Sequence, residues 1–355
     1  MDEMRRQKTM TTPLVTSIVY LGDELPRYLL SNLRYLKKTF PTEKFVFISD
    51  NECSLKRVSE LGVKVWKFEN LNTYQEKYQK YLIHDPEFRS NFWFHTLARF
   101  FAIHEYMSFA DDSPHLHLEA DNFLFPNFPF NFFRKLESPI AFPLESSSMG
   151  VASLLYLRNP NSAEQLVEFS VREILSNPKG TDMTILGKIA ISQDINSFKL
   201  RTIPRPLKNA LRTLQNSDLF TVENNSGGVF DAITHGQFLL GIDARNFRGK
   251  RKIYTSEINH ELNARLLEYG LSRDGYLYLL DEKQKWPIYN LHNHAKDLRI
   301  YSSRSRNKLL YKRVSHNNGK PKAEIDLIAF FVVVLASLVR RLGKFLLFAR
   351  PRESD

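Results

Sequence analysis

The sequence predicts an α/β fold in which a mostly parallel central sheet is flanked by helices and followed by an apolar helical tail. Three observations carry this reading. Short β-branched runs alternate with amphipathic stretches, acidic and glycine residues fall where those runs end, and the C-terminal stretch changes composition abruptly. With 355 residues, 43% of them apolar and 13% aromatic, the chain can bury one large core of roughly 250 to 300 residues or two smaller ones. That composition excludes a disordered protein.

The elements follow in order. Leu14 to Leu21 (LVTSIVYL) is a β-branched apolar run, followed by Gly22-Asp23 and an amphipathic stretch, Tyr28 to Thr39, that Pro41 stops. Phe45 to Ser49 repeats the strand signal and ends at Asp50-Asn51; Val58 to Leu61 closes a short helix, and Val63 to Phe68 alternates as a third strand. Ligands in such sheets bind beyond the carboxyl ends of the strands, which directs attention to Tyr20, Gly22 and Asp50. Phe92 to Phe109 reads as an aromatic helix, and His115 to Leu118 as a strand running into Glu119-Ala120-Asp121-Asn122. Phe125 to Phe133 reads as a packed, irregular loop. Ile140 to Leu144 and Val151 to Leu157 are strand-like, Ser162 to Leu175 is a helix with Ser162 as its N-cap, and Lys179 to Asp182 opens another helix through Ile189. Ile203 to Asn225 has little periodicity and reads as a long loop beside a site.

The predicted organisation is a domain over residues 12–300, a basic linker over 301–324 and an apolar, basic helix over 325–350. Ile325 to Val339 is almost wholly apolar but short for a bilayer span, so a helix lying on an anionic membrane surface, held by flanking Lys/Arg, is expected. The formal net charge is +11, and from Lys296 to Lys322 nine Lys/Arg stand against one acid, Asp297. Met1 to Met10 lacks the apolar run of a secretory signal, and Cys53 is the single cysteine, so a cytoplasmic protein, peripheral on the inner face of a membrane, is expected.

The strongest chemical signal is the strand that delivers Glu119 and Asp121 at its tip. Strand side chains alternate, so both carboxylates are expected to project together. Such a pair is tolerated mainly when a divalent cation sits between it and a further anion, and a nucleotide diphosphate is such an anion. Arg99, among the aromatics of its helix, is a candidate clamp for a phosphate or for Asp121. Near the end of the domain, His292-Asn293-His294-Ala295-Lys296 offers two imidazoles suited to Mn²⁺ and an ammonium suited to a phosphate. Asp182, at a helix start, is either a capping acid or a base for an acceptor hydroxyl. Asp231, after Gly227-Gly228, is a second candidate base or sugar ligand, and Gly241 to Asn246 reads as a polar turn beside the site.

Together these features resemble the GT-A-fold glycosyltransferases: Arg99 on its helix, Glu119-Ala120-Asp121 in the place of an Asp-x-Asp motif, and a late His-x-His-x-Lys. The segments Gly228 to Gln237, Gly241 to Asn246 and Tyr289 to His294 look like a group of bacterial and viral members, over roughly residues 14 to 300. The resemblance implies a GT-A-like, Rossmann-like domain and a metal ion, Mn²⁺ or Mg²⁺, on Asp121 with His292 or His294. It also implies a nucleotide-sugar (UDP- or GDP-sugar) donor facing Arg99 and Glu119. Glu119 departs from the commoner Asp and lengthens that arm. The expected activity is transfer of a sugar to the hydroxyl of a glycan or glycolipid precursor, with Lys296 and the metal stabilising the leaving diphosphate. A sugar-nucleotide-forming nucleotidyltransferase is the enzymatic alternative, though Tyr20 to Pro26 offers only Gly22 for a phosphate loop. A basic nucleic-acid-binding protein leaves the acids at the strand tip without a role, and no nucleic-acid motif appears. A non-catalytic membrane-bound scaffold completes the alternatives.

Overall fold

A computed structural model describes residues 13–22, 25–83, 91–110, 113–223, 226–242 and 261–319. The strands are β1 (Val15–Val19), β2 (Lys44–Ser49), β3 (Lys64–Lys67), β4 (His115–Leu118), β5 (Asn122–Leu124), β6 (Ile140–Ser146), β7 (Met149–Gly150), β8 (Leu154–Leu157), β9 (Ser197–Leu200), β10 (Glu268–Leu271), β11 (Leu277–Leu280), β12 (Lys285–Pro287) and β13 (Asn290–His292). The α-helices are α1 (Arg27–Thr39), α2 (Glu52–Ser59), α3 (Leu71–Tyr78), α4 (Phe92–Phe109), α5 (Phe130–Arg134), α6 (Pro160–Ser176), α7 (Asp182–Ile191), α8 (Ser217–Phe220), α9 (Thr234–Leu240) and α10 (Ser303–Gly319).

The main sheet has the order β3-β2-β1-β4-β8-β6-β7, with β9 beside β6. Strands β3, β2, β1 and β4 run parallel, β8 is antiparallel to both β4 and β6, and β9 is parallel to β6. This is the mostly parallel α/β arrangement, flanked by helices, that the alternating pattern predicts. Every residue of β1 and β4 is buried, as expected when crossover helices cover both faces of a parallel sheet. Two small sheets, β10-β11-β12 and β5-β13, complete the described strands.

The helices form for legible reasons. α1 buries Leu29, Leu30, Leu33 and Leu36 along one stripe. α4 is buried on several sides, and its Phe101 stacks on Tyr74 of α3 at 4.4 Å. Several local expectations change: the stretch read as an irregular loop over 125–133 runs into α5, and the stretch read as a long loop over 203–225 holds α8. The N-cap of α6 is Asn159, whose Oδ1 accepts from the Ser162 N–H at 3.0 Å, because Pro160 occupies the first turn where no donor is needed. Residues 303–319, read as part of a linker, are helix α10, which buries Leu309, Leu310 and Val314. Its exposed face is so basic that composition outweighed three apolar positions. The expected apolar helix over 325–350 and the polar turn at 243–246 lie outside the described residues. Among the described residues no helix is long and apolar enough to cross a membrane.

A buried polar line joins β1 to β4. Ser17 pairs in register with His117, and its Oγ lies 2.7 Å from His115 Nε2 and 3.5 Å from His117 Nδ1. Burial lowers the His115 pKa to about 3. Burial, with Arg99 and His115 nearby, also holds His117 well below the ordinary histidine value. Both rings are neutral in the folded protein and titrate near pH 6.5 once unfolded. The unfolded chain therefore binds more protons below that pH, and the stability present above pH 6.5 is lost as pH falls toward 3. Urea unfolding is expected to show about 1 kcal/mol lost per histidine between pH 7 and 5.5. A flat profile over that range in wild-type protein, or an unaltered slope in His115→Gln, contradicts this account.

Candidate metal centre

The carboxyl ends of β1, β2, β4 and β6 share one edge of the sheet, and the site is built there. After Leu118 the chain leaves the strand: the Asn122 N–H donates to the Glu119 carbonyl at 2.9 Å, closing a turn that leads into β5. Glu119 and Asp121 therefore converge through a turn, which corrects the expectation that a strand pleat aligns them. β5 then pairs antiparallel with β13, placing His292 opposite Asn122. The Asn293 N–H donates to the Asp121 carbonyl at 2.8 Å. Two segments far apart along the chain are thus locked by backbone pairing before any side chain is considered.

Buried amides tighten the lock. Asn32 Nδ2 donates to the Ala120 and Asn122 carbonyls at 3.1 and 3.0 Å, and Asn290 Nδ2 donates to Asn122 Oδ1 at 2.9 Å across 168 positions of sequence. Asn290 Oδ1 in turn accepts from the Asp231 N–H at 3.0 Å. Asparagines carry no pattern that singles them out in a sequence, so these positioning residues were invisible there.

Glu119, Asp121 and His292 each bring one ligand-type atom within 4.8 Å of the others, the group of this kind found among the described residues. His292 Nε2 lies 3.4 Å from Glu119 Oε2 and 3.3 Å from Asp121 Oδ1. Its Nδ1 lies 3.1 Å from the Ala232 carbonyl, which only accepts, so Nδ1 carries the proton. His292 thus directs Nε2 at two carboxylate oxygens. Two carboxylate oxygens and an imidazole nitrogen converging in this way can share a cation, and hard oxygen plus imidazole is a donor set that suits Mn²⁺ or Mg²⁺. A histidine whose other nitrogen is tied to a backbone carbonyl is also the usual second-layer arrangement around a bound metal. Burial pushes the Glu119 carboxyl up, but the Arg99 guanidinium, His292 and Lys296 outweigh it and hold the pKa at about 2.

The remaining predicted site residues divide. Arg99 does not face open space: Nη1 donates to Glu119 Oε1 at 2.5 Å, Nη2 pairs with Asp182 Oδ2, and Nε donates to the Thr96 carbonyl at 2.9 Å. It organises carboxylates, which corrects its reading as a phosphate clamp. Asp182 is buried and engaged by Arg99, while the α7 cap is Thr181, in a capping box with Thr184. Asp231 is completely buried; its Oδ1 accepts from the His235 N–H at 2.9 Å and its Oδ2 from the Gly236 and His292 N–H groups at 2.8 and 2.9 Å. Three backbone donors make it a pin between α9 and β13, so the geometry does not support its reading as a base. Gly236 is required beside it, since an added Cβ would lie 2.1 Å from the His292 carbonyl oxygen.

His294 leaves the extended path through a tight turn to the His292 carbonyl, 2.8 Å, and its ring lies 5.8 Å from that of His292, outside the three-residue group. Lys296 Nζ contacts Asp121 Oδ2 and lies 5.1 Å from the centre of the Tyr28 ring. Asp50 Oδ1 accepts from the Gly22 N–H at 2.9 Å, and Gly22 has a φ of 91°, a backbone state favouring glycine. Tyr20 is part-buried against the hydrophobic core, and His95 of α4 packs so closely on Gly22 that a Cβ would meet it at 2.7 Å. One further acid lies at the same edge: Glu145, buried at the end of β6, accepts from Thr234 Oγ1 at 3.0 Å. A lone acid closing an apolar strand, as in Ile140–Ser146, is the signal that marks it.

Fold and site together define an α/β protein with a mostly parallel central sheet and a candidate cation centre at its carboxyl edge. The sequence matches no family model and no curated protein. Among solved structures the chain is similar to a PaToxG glycosyltransferase, with 11% identity and a TM-score of 0.34 over 50% of this chain and 69% of that one. It is similar to a CMP:2-keto-3-deoxy-manno-octonic acid synthetase complexed with CTP, with 10% identity and a TM-score of 0.33 over 53% and 90%. It is also similar to the bifunctional IspDF from Campylobacter jejuni, with 9% identity and a TM-score of 0.30 over 53% and 50%.

Proposed function

We propose that the chain is a metal-dependent glycosyltransferase that takes a sugar from a UDP- or GDP-sugar and passes it to a hydroxyl of a glycan or glycolipid. The observation that carries this is the meeting of Glu119, Asp121 and His292 at the carboxyl edge of the sheet, with an ammonium beside them. In this reading Glu119, Asp121 and His292 hold the ion, which when bound neutralises charge on the departing diphosphate. Lys296 meets the phosphates. Gly22 and Asp50, at the ends of β1 and β2, border the nucleoside side. Arg99 keeps Glu119 oriented and ionised, and the buried amides hold the two segments in register. Asp182 and Asp231 are both engaged elsewhere, so neither is assigned the acceptor's proton.

The alternative, nucleotidyl transfer, needs a basic cradle for a triphosphate, whereas Tyr20 to Pro26 carries two acids and no Lys or Arg. Product identity separates the two. Incubated with Mn²⁺ and either nucleotide-sugars or CTP plus a sugar acid, the protein is expected to release a nucleoside diphosphate from the former. Release of pyrophosphate from the latter, with intact nucleotide-sugars, overturns the assignment in favour of nucleotidyl transfer.

A further inference from the structure

Resting on that reading, charge counting at the site leads to a consequence for Lys296. Three carboxylates, Glu119, Asp121 and Asp182, are matched by two permanent cations. Arg99 is shared between Glu119 and Asp182, and Lys296 sits on Asp121 Oδ2, on the same carboxylate whose Oδ1 faces His292. A divalent ion drawn to Asp121 therefore meets an ammonium already there, and two cations a few ångströms apart in a part-buried site repel strongly. The root of Lys296 is fixed while its arm is long. The Lys296 N–H donates to the Asn293 carbonyl at 2.8 Å, and Asn293 Oδ1 accepts from the Asp297 N–H at 3.0 Å. The backbone is held at a φ of 57°, a left-handed state that a lysine adopts only when its surroundings impose it. From that root a four-carbon stem carries the ammonium, which lies 5.1 Å from the centre of the Tyr28 ring.

We propose that Lys296 is an internal competitor for the cation: its ammonium neutralises Asp121 in the resting protein, yields that carboxylate to the ion, and turns to the incoming diphosphate. Ion and anion binding are then linked through one side chain, each favouring the other. A lysine that merely supported the fold would, on removal, weaken both ligands. A competitor has the opposite signature, with one ligand tightened and the other loosened.

The test uses the full chain, with free Mn²⁺ followed by electron paramagnetic resonance and UDP binding followed calorimetrically at saturating Mn²⁺. Lys296→Met, which keeps the stem, is expected to bind Mn²⁺ alone at least about tenfold more tightly than wild type, because a like charge has been removed from beside the ion. The same variant is expected to bind UDP at least about tenfold more weakly, having lost a charge-assisted contact. Lys296→Arg, which keeps the charge, should stay close to wild type in Mn²⁺ affinity. Tighter Mn²⁺ binding by the Met variant alongside weaker UDP binding supports the exchange, as does Mn²⁺ binding seen in the variant but not in wild type. Equal or weaker Mn²⁺ binding by the variant, with wild type binding normally, overturns the exchange and leaves the transferase reading intact. Absence of Mn²⁺ binding in both overturns the exchange together with the metal centre.

Discussion

Asp121→Asn is expected to lower Mn²⁺ affinity by at least about a hundredfold, since even outer-layer partners of a metal site are worth 10- to 100-fold, and to abolish cation-dependent binding of UDP or GDP. The substitution keeps the shape of the side chain and the backbone carbonyl that accepts from Asn293. The turn and the β5-β13 pairing should therefore persist, and any loss belongs to the carboxylate. Asp121 is the residue through which His292 and Lys296 meet, with Oδ1 3.3 Å from the imidazole and Oδ2 against the ammonium. Equilibrium dialysis of Mn²⁺ and titration of both nucleoside diphosphates read the effect directly. Full affinity in a variant that melts like wild type removes Asp121 from the metal centre and with it the proposed function.

Arg99→Met is expected to have the largest effect on stability, about 3 to 5 kcal/mol, the usual cost of deleting one partner from a buried ion pair. The guanidinium is about 10% exposed and serves Glu119 and Asp182 together. Its loss strands two carboxylates, one of them, Asp182, buried. Urea unfolding of Arg99→Met, Asp182→Asn and the double variant reads the coupling. The double variant should recover part of the loss, because one of the stranded charges is then gone. A single-variant effect below about 1 kcal/mol, the range of exposed ion pairs, would show that Arg99 is a peripheral side chain. The site would then lose the element that keeps Glu119 ionised and aimed.

Much of the fold was legible in the chain because local patterns and tertiary structure agree. The apolar run of β1, the amphipathic stripe of α1 and the aromatic stretch Phe92–Phe109 each announce an element whose bounds the structure reproduces closely. Patterns failed where packing, and not periodicity, decides. α10 has a basic face that hides Leu309, Leu310 and Val314. Ser162 looks like a cap until Pro160 is seen to need one earlier. For the site, residue type was informative and role was not. Asp231 and Asp121 are both single acids near a turn. One takes three backbone N–H groups and becomes structural, while the other faces an imidazole and an ammonium.

Local composition and spacing carry the α/β class, the place of the acidic turn at the end of a buried strand and the presence of imidazole and ammonium late in the domain. Tertiary structure alone decided which of those groups meet. The β5-β13 register sets His292 against Glu119 and Asp121 and leaves His294 aside, and burial turns Arg99 inward to two carboxylates. The physical reason is that charge and hydrogen-bond energies vary steeply with distance and solvent access, and both are properties of the folded chain that spacing along it does not encode.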